Sequence, residues 1–147
     1  MLDCRLLEFG FDDHKKSIEI RREVLRKPLG LDFSANDLNA EKDQFHIAAL
    51  YKNQVIGILL LKTMKDISDT TLKMRQVAID PKFQSKGYGS VLVKFSELWA
   101  IENGFNLIEL NARNTAIQFY KNLGYKEIGH EFLEVNIPHI KMFKDLS

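Results

Sequence analysis

Val77-Ala78-Ile79-Asp80-Pro81 is followed after two residues by Gln84-Ser85-Lys86-Gly87-Tyr88-Gly89-Ser90. Residues 72–79 have the composition of a strand. Asp80-Pro81 ends it, because proline has no N–H for a ladder and favours turns. A helical pattern of apolar residues begins just after Gly89. A strand, a glycine turn and a helix start have a joint chemical use. The first helical turn carries N–H groups without partners, and the helix dipole is positive there. Glycines let that backbone approach a ligand closely. The product is an anion site, with phosphate as its usual guest. Lys86 adds a positive charge beside it.

Two familiar phosphate loops are excluded by the order of residues. The nucleotide P-loop needs Gly-Lys followed by Ser or Thr, and here Lys86 precedes Gly87. The dinucleotide loop needs a third glycine, and position 92 is Leu92. What remains is Gln84-x-x-Gly87-x-Gly89.

Composition narrows the function classes. The 147 residues are enough for one domain with a core and too few for two ordinary ones. Apolar residues make up 45% and charged residues 28%, a globular balance. A net charge of +1, with acids and bases interleaved, sets up no field for nucleic acid or anionic membrane. Cys4 is the sole cysteine, so an internal disulfide is excluded, and the four histidines show no metal spacing. Residues 1–10 lack an apolar signal core, and no apolar run approaches the ~20 residues of a membrane span. The expectation is a cytoplasmic, metal-free protein without repeats or linkers.

Taken in order, residues 4–9 read as a short strand closed by Gly10. Asp12-Asp13 start a helix that runs to Lys27, stopped by Pro28 and Gly30. Residues 30–43 are polar and broken. Residues 45–51 and 54–62 are strand runs joined by Lys52-Asn53, the spacing of a tight hairpin. A third strand covers residues 70–79. The helix after Gly89 aligns Val91, Leu92, Phe95, Leu98 and Trp99 as a core stripe and stops at Asn103-Gly104. A short strand at 106–110 implies a right-handed crossover and a parallel pair. Asn114 caps a second helix that ends at Gly124, with Ala116, Phe119, Tyr120 and Leu123 on one face. Residues 125–134 and 137–146 form a last antiparallel pair.

Two segments together resemble a known family. Gln84-x-x-Gly87-x-Gly89 resembles the pyrophosphate loop of the GNAT (Gcn5-related) N-acetyltransferases, preceded by Val77-Ala78-Ile79-Asp80-Pro81 at that family's spacing. Ala116, Tyr120 and Leu123-Gly124-Tyr125 resemble its second signature. The likeness covers residues 45–144 well and the first 40 residues loosely. It implies an α/β fold with a mixed, mostly antiparallel sheet of about seven strands and about four helices. The whole chain is then a single acetyltransferase domain.

The resemblance also implies roles. Acetyl-CoA is the co-substrate. Its pyrophosphate sits on the backbone of Gln84, Ser85, Lys86, Gly87, Tyr88, Gly89 and Ser90. Its pantetheine arm pairs with the backbone at Val77 and Ile79, where the strands ending at Ile79 and Leu110 splay. Asn111 and Asn114 bond the arm's amides. Tyr120 serves as general acid toward the leaving thiolate, and backbone amides near Val77-Ala78 hold the oxyanion. The acceptor is a primary amine of a small molecule or peptide. Such an amine, of pKa ~10.4, is protonated at pH 7 by roughly 4.6 kcal/mol, so a base, a water chain or a pocket favouring the neutral amine is required. Glu41, His46, Gln76, Glu109, Glu131 and His139 all qualify as sources of that help, with Glu109 and Glu41 put first. Pro138-His139 resembles a final-strand pattern of some bacterial members. Edge strands in this fold also pair into homodimers. The alternatives are a non-catalytic acyl-CoA sensor and an acyltransferase with another donor or acceptor.

Overall fold

The computed structural model describes residues 2–147. The elements run β1 (Leu2–Leu6), α1 (Asp12–Arg21), a π-helical turn (Arg22–Arg26), a 3-10 turn (Lys27–Leu29), α2 (Ala35–Asn39), β2 (Phe45–Tyr51), β3 (Gln54–Thr63) and β4 (Thr71–Ile79). There follow a 3-10 turn (Pro81–Phe83), α3 (Tyr88–Glu102), β5 (Leu107–Arg113), a 3-10 turn (Asn114–Ala116), α4 (Ile117–Asn122), β6 (Lys126–Glu134) and β7 (Ile137–Asp145). Among the described residues the strands make one mixed seven-stranded sheet in the order β1-β2-β3-β4-β5-β7-β6. The chain divides into two compact units: residues up to Lys62 with Gln76–Ser96, and Thr63–Arg75 with Glu97–Ser147.

In the first unit β1, β2 and β3 are antiparallel neighbours. Lys52 and Asn53 both take positive φ (50° and 65°), the conformation a two-residue hairpin of this twist demands. β2 and β3 are buried along nearly their whole length. That explains their continuous apolar runs in place of alternation. Ala48, Leu50, Val55, Ile58 and Leu60 pack with Leu7, Ile20 and Ala78, and Val24 and Leu25 lie against them. Gly57 lies close to the end of β4: a Cβ there would stand 2.6 Å from Ile79 Cδ1, and that side chain would have to shift.

In the second unit the start of β4 runs parallel to β5, from Thr71↔Leu107 to Lys73↔Glu109. β5 is antiparallel to β7, and β7 to β6. The parallel pair inside an otherwise antiparallel order is the mixed sheet expected from the strand–helix–strand reading. Lys144 Nζ donates to Glu97 Oε1 at 2.8 Å and to the Leu123 carbonyl at 2.7 Å. This lets Glu97 be buried inside a helix, since a desolvated carboxylate needs a paired donor.

Several element expectations need correction. β1 starts and ends earlier than 4–9. The first helix leaves α geometry at Arg22, and residues 30–43 contain α2, closed by a reciprocal Ser34–Asp37 capping box. On α3 the inward positions are Leu92, Val93, Ser96, Glu97 and Ala100, whereas Val91 and Leu98 are exposed. The buried face differs from the apolar stripe because Ser96 and Glu97 belong to it. Ser96 satisfies its hydroxyl on the Leu92 carbonyl, and Glu97 is paired. β5 runs on to Arg113, which places Asn111 in a strand. Asn114 does not cap a helix, since the residue ahead of α4 is Ala116 and no side chain caps it.

Candidate active site

The glycine turn lies wholly in the first unit. Asp80 accepts the Lys82 amide at 3.0 Å and closes the 3-10 turn after β4. Gln84 is extended, and its side-chain Nε2 donates to the Ile79 carbonyl at 2.9 Å. That bond ties the turn back onto the end of β4. Ser85 (φ 63°) and Gly87 (φ 82°) are left-handed. α3 then begins, with the Val91 amide donating to the Gly87 carbonyl. Helix geometry leaves the amides of Tyr88, Gly89 and Ser90 without intrahelical acceptors. Ser85, Lys86 and Gly87 are exposed, and Tyr88, Gly89 and Ser90 half-buried. The turn therefore presents N–H groups to an approaching anion, with the helix dipole behind them. The rings of Tyr51, Phe83 and Tyr88 cluster at 5.6–6.4 Å beside it.

Ahead of the turn, β4 is irregular. Gln76 has φ 57° inside the strand, immediately before Val77. Its Oε1 accepts from Arg21 Nε at 3.3 Å. Arg21 is fully buried and donates to both carboxylate oxygens of Glu41, at 2.9 and 2.6 Å. Phe33 stacks on its guanidinium at 4.6 Å. Glu41, expected as one of two candidate bases, has both oxygens held by a cation. The bidentate bonding ties Glu41 to α1 through Arg21.

Two buried histidines adjoin this pair. The Gly10 amide donates to His14 Nδ1, so the proton is on Nε2. His46 Nε2 donates to the Glu41 carbonyl at 2.9 Å. The rings meet edge-on at 4.9 Å, and His14 Nε2 and His46 Nδ1 are buried without partners. Burial, aided by His46 and Arg21 and opposed by Glu41, pushes the His14 pKa down from 6.5 to about 4. Burial also lowers that of His46. Both folded values lie below the unfolded one, so unfolding takes up protons and stability falls as pH drops below 6.5. For His14 alone the loss at pH 5 is about 2 kcal/mol. Thermal unfolding from pH 7.5 to 5 should show the decline, and His14→Gln should flatten it. Parallel profiles for the two proteins would remove His14 as its source.

The second unit carries the remaining expected residues. On β5, Glu109, Asn111 and Arg113 share one half-buried face, while Ile108, Leu110 and Ala112 fill the other. Asn111 Nδ2 donates to Glu134 Oε1 at 3.4 Å, and Glu134 Oε2 lies 3.5 Å from His139 Nε2. Asn114 is exposed at the start of its 3-10 turn. Tyr120 is 8% exposed on α4, edge-on to Phe119 and Tyr125 at 5.0 and 5.7 Å. Burial raises its pKa well above the ordinary phenol value, so it stays protonated.

Reading the sequence missed Arg21 and the Glu134–His139 contact. Arginine on a helix reads as solvated charge, and only an apolar stripe would have marked that face. α1 instead buries His14, Ser17, Ile20 and Arg21.

Comparison with known proteins adds four findings. A family model described as an acetyltransferase (GNAT) domain matches residues 23–146. The chain is 27% identical over 132 residues to the uncharacterized N-acetyltransferase YjcF of Bacillus subtilis (strain 168), covering 89% of this chain and 91% of that one. Its fold matches an aminoglycoside 6'-N-acetyltransferase solved with coenzyme A, at TM-score 0.82 and 16% identity, over 99% and 97% of the two chains. It also matches an Elizabethkingia anophelis GNAT acetyltransferase solved with acetyl-CoA, at TM-score 0.75 and 16% identity, over 98% and 97%.

Proposed function

Because the chain belongs to the GNAT family of acetyltransferases, we propose that it moves an acetyl group from acetyl-CoA to a primary amine of a small molecule or peptide. The observation that carries this reading is the turn at residues 84–90. Left-handed Ser85 and Gly87 deliver the chain into α3 with three amides unspent. Such a turn fits a pyrophosphate. Two solved relatives of the fold hold coenzyme A or acetyl-CoA, which supports the same donor here.

Acetyl-CoA brings an activated thioester, and the chain's residues do the rest. The amides of residues 84–90 bind the diphosphate. The backbone of Val77 and Ile79 takes the pantetheine arm as an added strand, and Asn111 and Asn114 bond its amides. Amides at Val77-Ala78 hold the charge that builds on the carbonyl oxygen as the amine nitrogen attacks. Glu109, through water, takes the amine proton. The C–S bond breaks, and Tyr120 donates to the departing sulfur. With its pKa raised by burial, Tyr120 acts as a hydrogen-bond donor more than as a full proton source.

Thermal unfolding with acetyl-CoA, dephospho-CoA and ATP tests the donor. A ligand at 100 times its dissociation constant adds about 2.7 kcal/mol, a rise of several degrees for this size. Acetyl-CoA should shift the midpoint well above the others. No shift at millimolar acetyl-CoA would end the enzyme reading.

A further inference from the structure

We propose that the buried Arg21–Glu41 pair is a positioning device that holds Gln76 in its left-handed conformation, and so keeps the backbone of Val77–Ile79 open for the acyl donor. The inference rests on the acetyl-CoA reading of that strand.

Six non-glycine residues among those described have positive φ. Five of them, Lys52, Asn53, Ser85, Val135 and Asn136, lie in turns. Gln76 alone lies within a strand. A residue with a Cβ is disfavoured there and persists only when its surroundings over-determine it. Something in the fold must therefore hold Gln76.

Arg21 is that hold. Its guanidinium is a rigid planar fork, and the two bonds to Glu41 at 2.9 and 2.6 Å fix the plane. Phe33 covers its face at 4.6 Å. With the plane fixed, Nε points in one direction, and Gln76 Oε1 sits there at 3.3 Å. The Gln76 side chain is thereby pinned to α1, 55 positions away in sequence, and through Arg21 to Glu41. A left-handed residue in a strand rotates the next peptide plane and interrupts ladder pairing, as a bulge does. Beyond it lie Val77 and Ile79, the residues assigned to the pantetheine arm, with Ala78 between them. A buried ion pair adds little net stability over apolar residues of the same volume. What Arg21 and Glu41 add is conformational choice.

The test compares substitutions that remove the same side chain and differ only in backbone preference. Acetyl-CoA dissociation constants are measured by calorimetry for the wild type, Gln76→Ala and Gln76→Gly, with unfolding midpoints recorded for each. Alanine is driven out of the left-handed region, and affinity should fall on the order of tenfold. Glycine visits that region about as readily as any other, so Gln76→Gly should lose only about twofold. A second arm replaces the pair together, as Arg21→Met with Glu41→Leu, to avoid stranding a charge. That protein should bind weakly, and adding Gln76→Gly should restore it. Equal affinity of Gln76→Ala and Gln76→Gly would overturn the inference, as would failure of glycine to rescue a folded double variant. If the double variant does not fold, Arg21→Lys decides: it keeps a positive charge beside Glu41 and loses the Nε donor to Gln76, so wild-type affinity in that variant would overturn the inference. A wild type that does not bind acetyl-CoA at all would overturn the donor reading instead.

Discussion

Gly87→Val is expected to weaken acetyl-CoA binding by about 100-fold or more, with the unfolding midpoint of the free protein lowered by only a few degrees. The effect comes from the backbone, because a Cβ at Gly87 would meet no protein atom within 4 Å. The obstacle is φ 82°, which a β-branched residue does not tolerate. When residue 87 leaves that conformation, the amides of residues 84–90 no longer converge. Each charge-assisted bond lost is worth about 1.5–3 kcal/mol, and losing two exceeds 100-fold. Gly87 is exposed, so packing barely changes. Substitutions graded by left-handed tolerance sharpen the result. Asparagine should bind better than alanine, and alanine better than valine. If asparagine fails as badly as valine, the ligand needs close approach to the backbone and not the turn geometry alone. A valine variant with wild-type affinity in calorimetry would remove the turn from the cofactor site.

Tyr120→Phe should lower turnover by about 10- to 100-fold, the worth of one hydrogen bond to a charged group, with acetyl-CoA affinity kept. The ring contacts to Phe119 and Tyr125 survive in phenylalanine, so the fold should hold. Burial keeps the phenol protonated, which yields a second expectation. The alkaline limb of the wild-type pH–rate profile should not report Tyr120, and Tyr120→Phe should leave its position unchanged. Wild-type turnover in the variant on a genuine acceptor would make Tyr120 a packing residue only.

How much could be read in advance differs from region to region. The turn at residues 84–90 was legible because its requirements are local. A strand end, Asp80-Pro81 and two glycines can be read within a dozen residues of one another. Lys52-Asn53 was legible for the same reason, and so was Gly124, whose φ of 95° ends α4 as its sequence suggests. The stripe on α3 was not. Its inward face includes Ser96 and Glu97, and only the bonds to the Leu92 carbonyl and Lys144 make that burial tolerable. Asn114 looked like a cap from its place before a helix, but β5 runs on to Arg113 through its pairing with β7, and the helix starts later.

Glu41 and Arg21 mark the same boundary. Read along the chain, Glu41 is a carboxylate near a suspected acceptor region and Arg21 a charge on a helix. Folding brings them to 2.6 Å and places Gln76 beside them. The family, the sheet with its parallel pair and the glycine turn can all be read along the chain, because hydrophobic period, turn residues and motif spacing are properties of sequence neighbours. Which polar groups are buried and paired, and which strand residue is held left-handed, emerges only on folding. Those outcomes depend on partners distant in sequence, and a charge's energy is set by what surrounds it after folding.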